Sequence, residues 1–469
     1  MSGAESVLQL ITDNDVEFVI FRFTDPRGKW QQVRHHRGIV NADTFNLGVM
    51  MDGSSIAGWQ GIQESDLILM PDASTAVIDP FTKHKSLAIT CNTVDPETGE
   101  PYGRCPRQIA LRAERHLAET GVASKSVWGP EPEFFIFQDV QIDVSMNQGY
   151  YRVDDYEGPY NSGRDYEQGN LGHRPGVKRG YFPVPPVDNA EAIRAEMMVN
   201  MVEMGVAVEK DHHEVAPSQH ELGFVFDTLV KSADLIQVYK YVVHNTAQRH
   251  GVSATFMPKP ILNDNGNGMH IHQSLWNDDE PVFAGDDYGG LSETALFYIG
   301  GIIKHGHAIN AFTNPSTNSY KRLRPGFEAP IHLTYSARNR SAAFRIPHST
   351  NPKHAHFEVR FPDATANPYL AYSALLMAGL DGIANQIHPG EPAERDLFDP
   401  DHPGHGDIKQ VVTSLHRALD ALEEDQEFLT KGGVFSEDFI ASYIALKREE
   451  QEAFEATPCP IEFQMYYSV

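Results

Sequence analysis

The sequence predicts an α+β protein with a small, mostly β N-terminal part and a larger mixed part, on three observations. Short strand patterns broken by turns fill the first hundred residues. Long helical patterns begin only at Pro106. Beyond it, strands and helices mix without a regular βαβ repeat, which favours an α+β domain over a doubly wound parallel sheet.

Taken in order, Val16–Thr24 and Trp30–Arg34 read as two strands around the turn Asp25-Pro26-Arg27-Gly28. Leu67–Met70 and Leu87–Thr90 are further strand candidates. A helix starts near Pro106 and stops at Gly121, with proline at its start and glycine past its end. The boundary is placed at Arg104, giving units 1-104 and 105-469. In the second unit, helices are expected over Ala190–Met204, Ser232–His250, Thr294–Ala311, Pro368–Gln386, Ile408–Glu424 and Glu437–Glu455. The Pro-, Gly- and Asp-rich stretch Pro389–Asp407 reads as an exposed loop.

The 469 residues suffice for two or three domains' worth of core. A formal charge of −26 argues against nucleic-acid and anionic-membrane partners. Cys91, Cys105 and Cys459 have no CxxC spacing, so neither a disulfide framework nor a zinc ribbon is expected. Met1–Leu10 lacks the basic start and apolar run of a signal peptide, and no segment approaches a membrane span. The expected location is the cytosol.

Chemistry concentrates in four strand-like segments. In Trp128–Asp139, alternation puts Glu131 and Glu133 on one face with Phe135 and Phe137. Two carboxylates beside aromatic side chains need a cation or donors if buried. His212-His213-Glu214 is followed by Glu221, His270 and His272 share a face, and so do Glu358 and Arg360. Such oxygen-rich sets with one or two imidazoles suit Mg²⁺ or Mn²⁺ better than Zn²⁺. No GxxxxGK[ST] occurs, so a nucleotide would not use a P-loop. Arginines cluster instead in Tyr320–Pro325 and Arg338–Arg345, suited to phosphate or carboxylate. The residues alone thus describe a metal-dependent enzyme of anionic substrates performing phosphoryl transfer, and leave the acceptor open.

The same segments resemble the class I glutamine synthetases of bacteria. The likeness spans the chain, from DGSSIAGW at Asp52–Trp59 through GPEPEFF (129–135), GYFPVPP (180–186), HHEVAPSQHE (212–221), DNGNGMHIH (264–272), NSYKRLRPGFEAP (318–330), ARNRSAAFRIP (337–347) and EVRFPDATANPYLA (358–371) to the closing YYSV. The resemblance implies a β-grasp-like N-terminal domain and a catalytic domain whose antiparallel sheet is flanked by helices. It implies two divalent metals, one among Glu133, Glu214 and Glu221, the other among Glu131, His270 and Glu358. Glutamate would be held by Asn265, Gly266, Arg322 and Arg360. ATP would meet Arg340, Arg345, His272, Ser274, Lys353 and the backbone near Glu209 and Phe226. Ammonium would be drawn by Asp52, Tyr181 and Glu214, with Asp52 taking a proton and Glu328 closing the site. The implied assembly is a dodecamer of two hexameric rings, with Asp52 serving the neighbouring subunit's site and Met465–Val469 strapping the rings together.

Three departures stand out. Phe398 occupies the position of the tyrosine that the regulated subgroup adenylylates, so no modification is expected there. The seven-residue spacing of Glu214 and Glu221 resembles the other class I branch. His356 replaces an arginine common beside the nucleotide, which suggests weaker or more pH-dependent ATP affinity. Two rivals are a glutamate–polyamine ligase of the same fold and a non-catalytic binding relative. Asp52 and Glu328 favour ammonia over the first, and six retained candidate ligands weigh against the second.

Overall fold

A computed structural model describes residues 3–161, 165, 169–399 and 408–469. The N-terminal strands are β1 (Phe18–Thr24), β2 (Trp30–His36), β3 (Val49–Asp52), β4 (Asp66–Pro71), β5 (Val77–Asp79) and β6 (Ser86–Val94). They form one sheet in the order β2-β1-β6-β4-β3, with β5 also on β6. The β1–β6 pair is parallel and the other pairs are antiparallel. Apolar residues on both faces of β1 and β6 bury it at the centre, packed under the helix Gly3–Asp13 that periodicity had not suggested.

The helix Pro106–Thr120 follows, and its cap Gly121 has φ of 70°, a left-handed conformation that glycine adopts without a Cβ clash. Arg107 on this helix donates to Asp72 at the end of the first sheet and to Asp234 of the helix Leu229–Arg249, each at 2.8 Å. One buried guanidinium thereby ties the two parts of the chain together.

The second sheet contains β7 (Lys125–Phe137), β10 (Val208–His213), β11 (Gln219–Phe224), β12 (Asp227–Thr228), β13 (Ser253–Thr255), β14 (Met269–Asn277), β15 (Glu280–Pro281), β16 (Tyr335–Ala337), β17 (Phe344–Ile346) and β18 (Phe357–Val359). Its order is β10-β11-β7-β14-β18-β17-β16, with β12 and β13 on β7 and β15 on β14. All pairs but β16–β17 are antiparallel. A separate hairpin of β8 (Asp139–Ser145) and β9 (Gln148–Asp154) stands out with Ile142, Val144 and Met146 exposed. Helices cover the large sheet, the most buried being Pro368–Ala384, whose Tyr372 stacks on Trp128 of β7 at 5.1 Å.

Two expected helices differ. The stretch Thr294–Ala311 is two helices, Glu293–Lys304 and Gly306–Thr313, broken at His305. Both ring nitrogens of His305 are fixed there, on Asp381 at 2.9 Å and Asp425 at 2.7 Å. The stretch Ile408–Glu424 is helical only over Leu415–Glu424. Its first residues pair instead with 331–333, and Ser414 caps the helix by accepting from Arg417 N. Of the loop Pro389–Asp407, residues 400–407 lie outside the described residues. Among the described residues no helix is long and apolar enough to cross a membrane.

Candidate active site

Strand register assembles the site. On β10, β11 and β7, His212 stands opposite Glu221 and Glu221 opposite Glu133. On β7, β14, β18 and β17, Glu131 stands opposite His270, His272 opposite Glu358, and Glu358 opposite Arg345. Side chains two apart share a face, so Glu131 and Glu133, His270 and His272, and Glu358 and Arg360 all project to one side. There they line a cleft of ≈ 530 Å³ together with Tyr181, Glu214, Asn265, Gly266, Arg322, Glu328, Arg340 and Arg345.

At one end are Glu133, Glu214 and Glu221, all buried. Glu133 Oε2 accepts from Gly268 N at 2.8 Å and Gln219 Nε2 at 2.9 Å. Burial and the neighbouring Glu221 still push Glu133 up to about 7. Burial and Glu133 raise Glu214, and burial raises Glu221 despite His212 at 3.3 Å. Three crowded carboxylates that resist ionising fit a divalent cation, which would replace their protons. Among the described residues, His212, Glu214 and Glu221 bring one donor atom each within 4.8 Å of one another.

The other end is already neutralised. Burial opposes the charge of Glu358, but Arg360, His272 and His270 outweigh it and draw the carboxyl down to about 2. Its two oxygens take Arg360 Nη1 at 2.5 Å and Arg345 Nη1 at 2.8 Å. Glu131 is held below the usual range, burial being overcome by His270 and His272. His270 Nδ1 lies 3.7 Å from Glu131 and 3.5 Å from Glu358. Here Glu131, His272 and Glu358 likewise bring one donor atom each within 4.8 Å of one another. Glu133 and His270 line the same cleft beside these two groups, so His212 and His272 are further donors next to the implied sets.

Between the ends, Arg345 Nε, Arg360 Nε and Asn265 Oδ1 are buried without a hydrogen-bond partner, open to a polar substrate. Arg322 instead spends its donors on the backbone carbonyls of Arg360, Phe361 and Pro362, which fixes that turn. A Cβ on Gly266 would meet Pro258 O at 2.1 Å, so only glycine fits. Glu328 has φ of 56°, a strained conformation for a residue with a Cβ, beside Phe327 in the cleft rim. Arg340 Nη1 is 3.5 Å from the Tyr181 hydroxyl.

The expected nucleotide residues are partly gathered. Phe226 packs on His272 at 5.7 Å and His356 at 6.0 Å. Ser274 Oγ accepts from Trp276 Nε1 at 2.9 Å, while Glu209 and Lys353 are exposed outside the cleft lining. Burial and His272 push His356 down to about 4. A ring neutral from pH 6 to 8 favours the weaker-affinity form of the expectation over the pH-dependent one. Asp52 does not line this cleft. It is exposed at the end of β3, where Ser54 and Ser55 donate to its carboxylate. Phe398 is half-buried, with no hydroxyl.

Sequence reasoning had not singled out Gln219, which donates to Glu133, Gly266 O and Asn267 Oδ1, nor Lys210. It had left His212 and His213 unresolved. Alternation along β10 sends His213 to the opposite face, where Glu157 holds it at 2.7 Å.

A cleft acidic at both ends with arginines between is the equipment of an enzyme that acts on anionic substrates. The family model "Glutamine synthetase, catalytic domain" matches residues 103–466, and "Glutamine synthetase, beta-Grasp domain" matches residues 15–96. Over 469 residues, the whole of both chains, the sequence is 58% identical to glutamine synthetase of Azospirillum brasilense and 56% to that of Rhizobium meliloti. A cryo-EM structure of Plasmodium falciparum glutamine synthetase superposes with a TM-score of 0.91 at 29% identity, covering 100% of this chain and 99% of that one. A structure described as a GmaS/ADP complex superposes at 0.83 with 27% identity, covering 98% and 99%. The chain belongs to the glutamine synthetase family and is an ATP-dependent carbon–nitrogen ligase, built from a β-grasp N-terminal domain and an α+β catalytic domain.

Proposed function

We propose that this cleft joins ammonia to the γ-carboxylate of glutamate through γ-glutamyl phosphate, releasing ADP and phosphate. The observation that carries the reading is the pairing of two carboxylate clusters with unpartnered arginine nitrogens between them. Mg²⁺ or Mn²⁺ at both clusters would supply charge neutralisation for phosphoryl transfer. Arg360 and Asn265 offer Nε and Oδ1 to glutamate, while Arg340 and Arg345 face the transferred phosphoryl group. Glu328, on its strained turn in the rim, closes over the acyl phosphate against water and takes a proton from the amine adduct.

Asp52, Tyr181 and Glu214 draw ammonium, and Asp52 deprotonates it. Asp52 lies outside the cleft of its own chain; as the resemblance implies, it serves a neighbouring subunit within a dodecamer of two hexameric rings. The chain divides at Arg104, and Phe398 leaves it without adenylylation at that position. The ADP in the structural relative's description supports the nucleotide assignment.

Phosphate release from ATP and Mg²⁺, with glutamate and ammonium each omitted in turn, tests the reading. Release that needs both and vanishes in Asp52→Ala is expected. Release with glutamate that ignores ammonium but responds to a polyamine would replace ammonia as acceptor, and no release would leave a binding relative.

A further inference from the structure

We propose that Lys210 is a phosphate-binding residue of the nucleotide site: its ammonium pairs with Glu131 and turns to the polyphosphate of ATP when a divalent cation takes that carboxylate. This inference rests on the function proposed above.

Three features build the arrangement. The β10–β11 pairing carries an irregularity between Val208 and Lys210, and such bulges re-aim side chains beside active sites. Lys210 then pairs across with Gly223, and its stem lies over that glycine. A Cβ at Gly223 would meet Lys210 Cγ at 2.9 Å and Cε at 3.0 Å. At the end of the stem, Nζ sits 3.3 Å from Glu131 Oε1 inside the cleft lining.

A plain surface ion pair would need neither the bulge nor the bare glycine. Glu131 Oε2 faces His272 at 3.5 Å and His270 at 3.7 Å, so Lys210 takes the other oxygen of a carboxylate already partnered. Glu131 would be among the residues that hold a divalent cation, whose charge would oppose the Lys210 ammonium there and favour phosphate oxygens beside it. The lysine has a half-exposed head and a flexible four-carbon stem, so it can follow the charge. With no P-loop in the sequence, this lysine supplies the mobile point charge that such a loop otherwise brings to phosphates.

Two affinities of the full-length protein test the proposal by titration calorimetry: Mn²⁺ without nucleotide, and ADP at saturating Mn²⁺. In Lys210→Met, Mn²⁺ is expected to bind roughly three- to tenfold more tightly and ADP roughly tenfold more weakly. Lys210→Arg should stay near wild type in both. Gly223→Ala, which keeps the lysine but displaces its stem, should shift both in the same directions as Lys210→Met, by less. A purely structural role would weaken both ligands together, and any pairing other than tighter Mn²⁺ with weaker ADP overturns the proposal. Glutamine formation by the wild type reads the underlying function separately, so an active wild type without these opposite shifts sinks this inference alone.

Discussion

At one end of the cleft, Glu133, Glu214 and Glu221 hold their protons more tightly than free carboxylates, while at the other, Glu131 and Glu358 give them up more readily. Both ends are buried, so desolvation alone does not separate them. The difference lies in the neighbours. Glu133 meets Glu221 and Glu214, whereas Glu358 meets Arg345 and Arg360 at hydrogen-bond distance. The first cluster sets acid beside acid, and the second sets acid beside arginine. Burial in a sheet face is thus compatible with two opposite electrostatic states, chosen by which residue the register places opposite.

The largest test of that contrast is a pair of isosteric substitutions. Glu358→Gln strands two guanidiniums in a buried site and should destabilise the metal-free protein by about 3–5 kcal/mol. Glu133→Gln removes one of three crowded acids and should stabilise it, on the order of 1–3 kcal/mol above neutral pH. Urea unfolding at fixed chain concentration reads both, and shifts of equal sign would erase the distinction. Both variants should lose ligase activity by about a thousandfold, because each removes a candidate cation ligand.

The pH dependence follows with a definite sign. Glu133 ionises near 4.5 when unfolded and near 7 when folded. Between these values the folded state binds more protons, so stability falls as pH rises through this window. Heating scans of metal-free protein should show Tm dropping by several degrees from pH 5 to 7.5. Saturating Mn²⁺ should flatten that slope, since the cation takes the place of the protons. A metal-free Tm that rises over this range would assign the wrong charge state to the cluster.

A smaller effect sits at the nucleotide edge. His356→Arg places a permanent charge beside His272 and should lower the KM for ATP by about two- to fivefold. The wild-type KM should show no step attributable to His356 between pH 6 and 8, because burial keeps that ring neutral. A titration in that range lost in the variant would restore the charged imidazole.

Much of this site was legible because strands alternate. Glu131 and Glu133, His270 and His272, and Glu358 and Arg360 could each be put on one face from spacing alone. Which row met which could not, because register depends on pairings between strands far apart in sequence. That is why His212 was not separated from His213, and why Gln219 and Lys210 went unmarked: a bulge and a bare glycine aim Lys210. In the fold, Pro106 and Gly121 announced their helix, whereas the break at His305 comes from Asp381 and Asp425, distant acids no local pattern reveals.

Opposite charge states at the two ends predict two separate cation sites. Mn²⁺ titration of the metal-free protein at pH 7, repeated in buffers of different ionisation enthalpy, tests it most directly. Two ions per chain are expected, one bound with proton release and lost in Glu133→Gln, the other with little release and lost in Glu358→Gln. A single ion per chain, or two ions lost together in either variant, would contradict it.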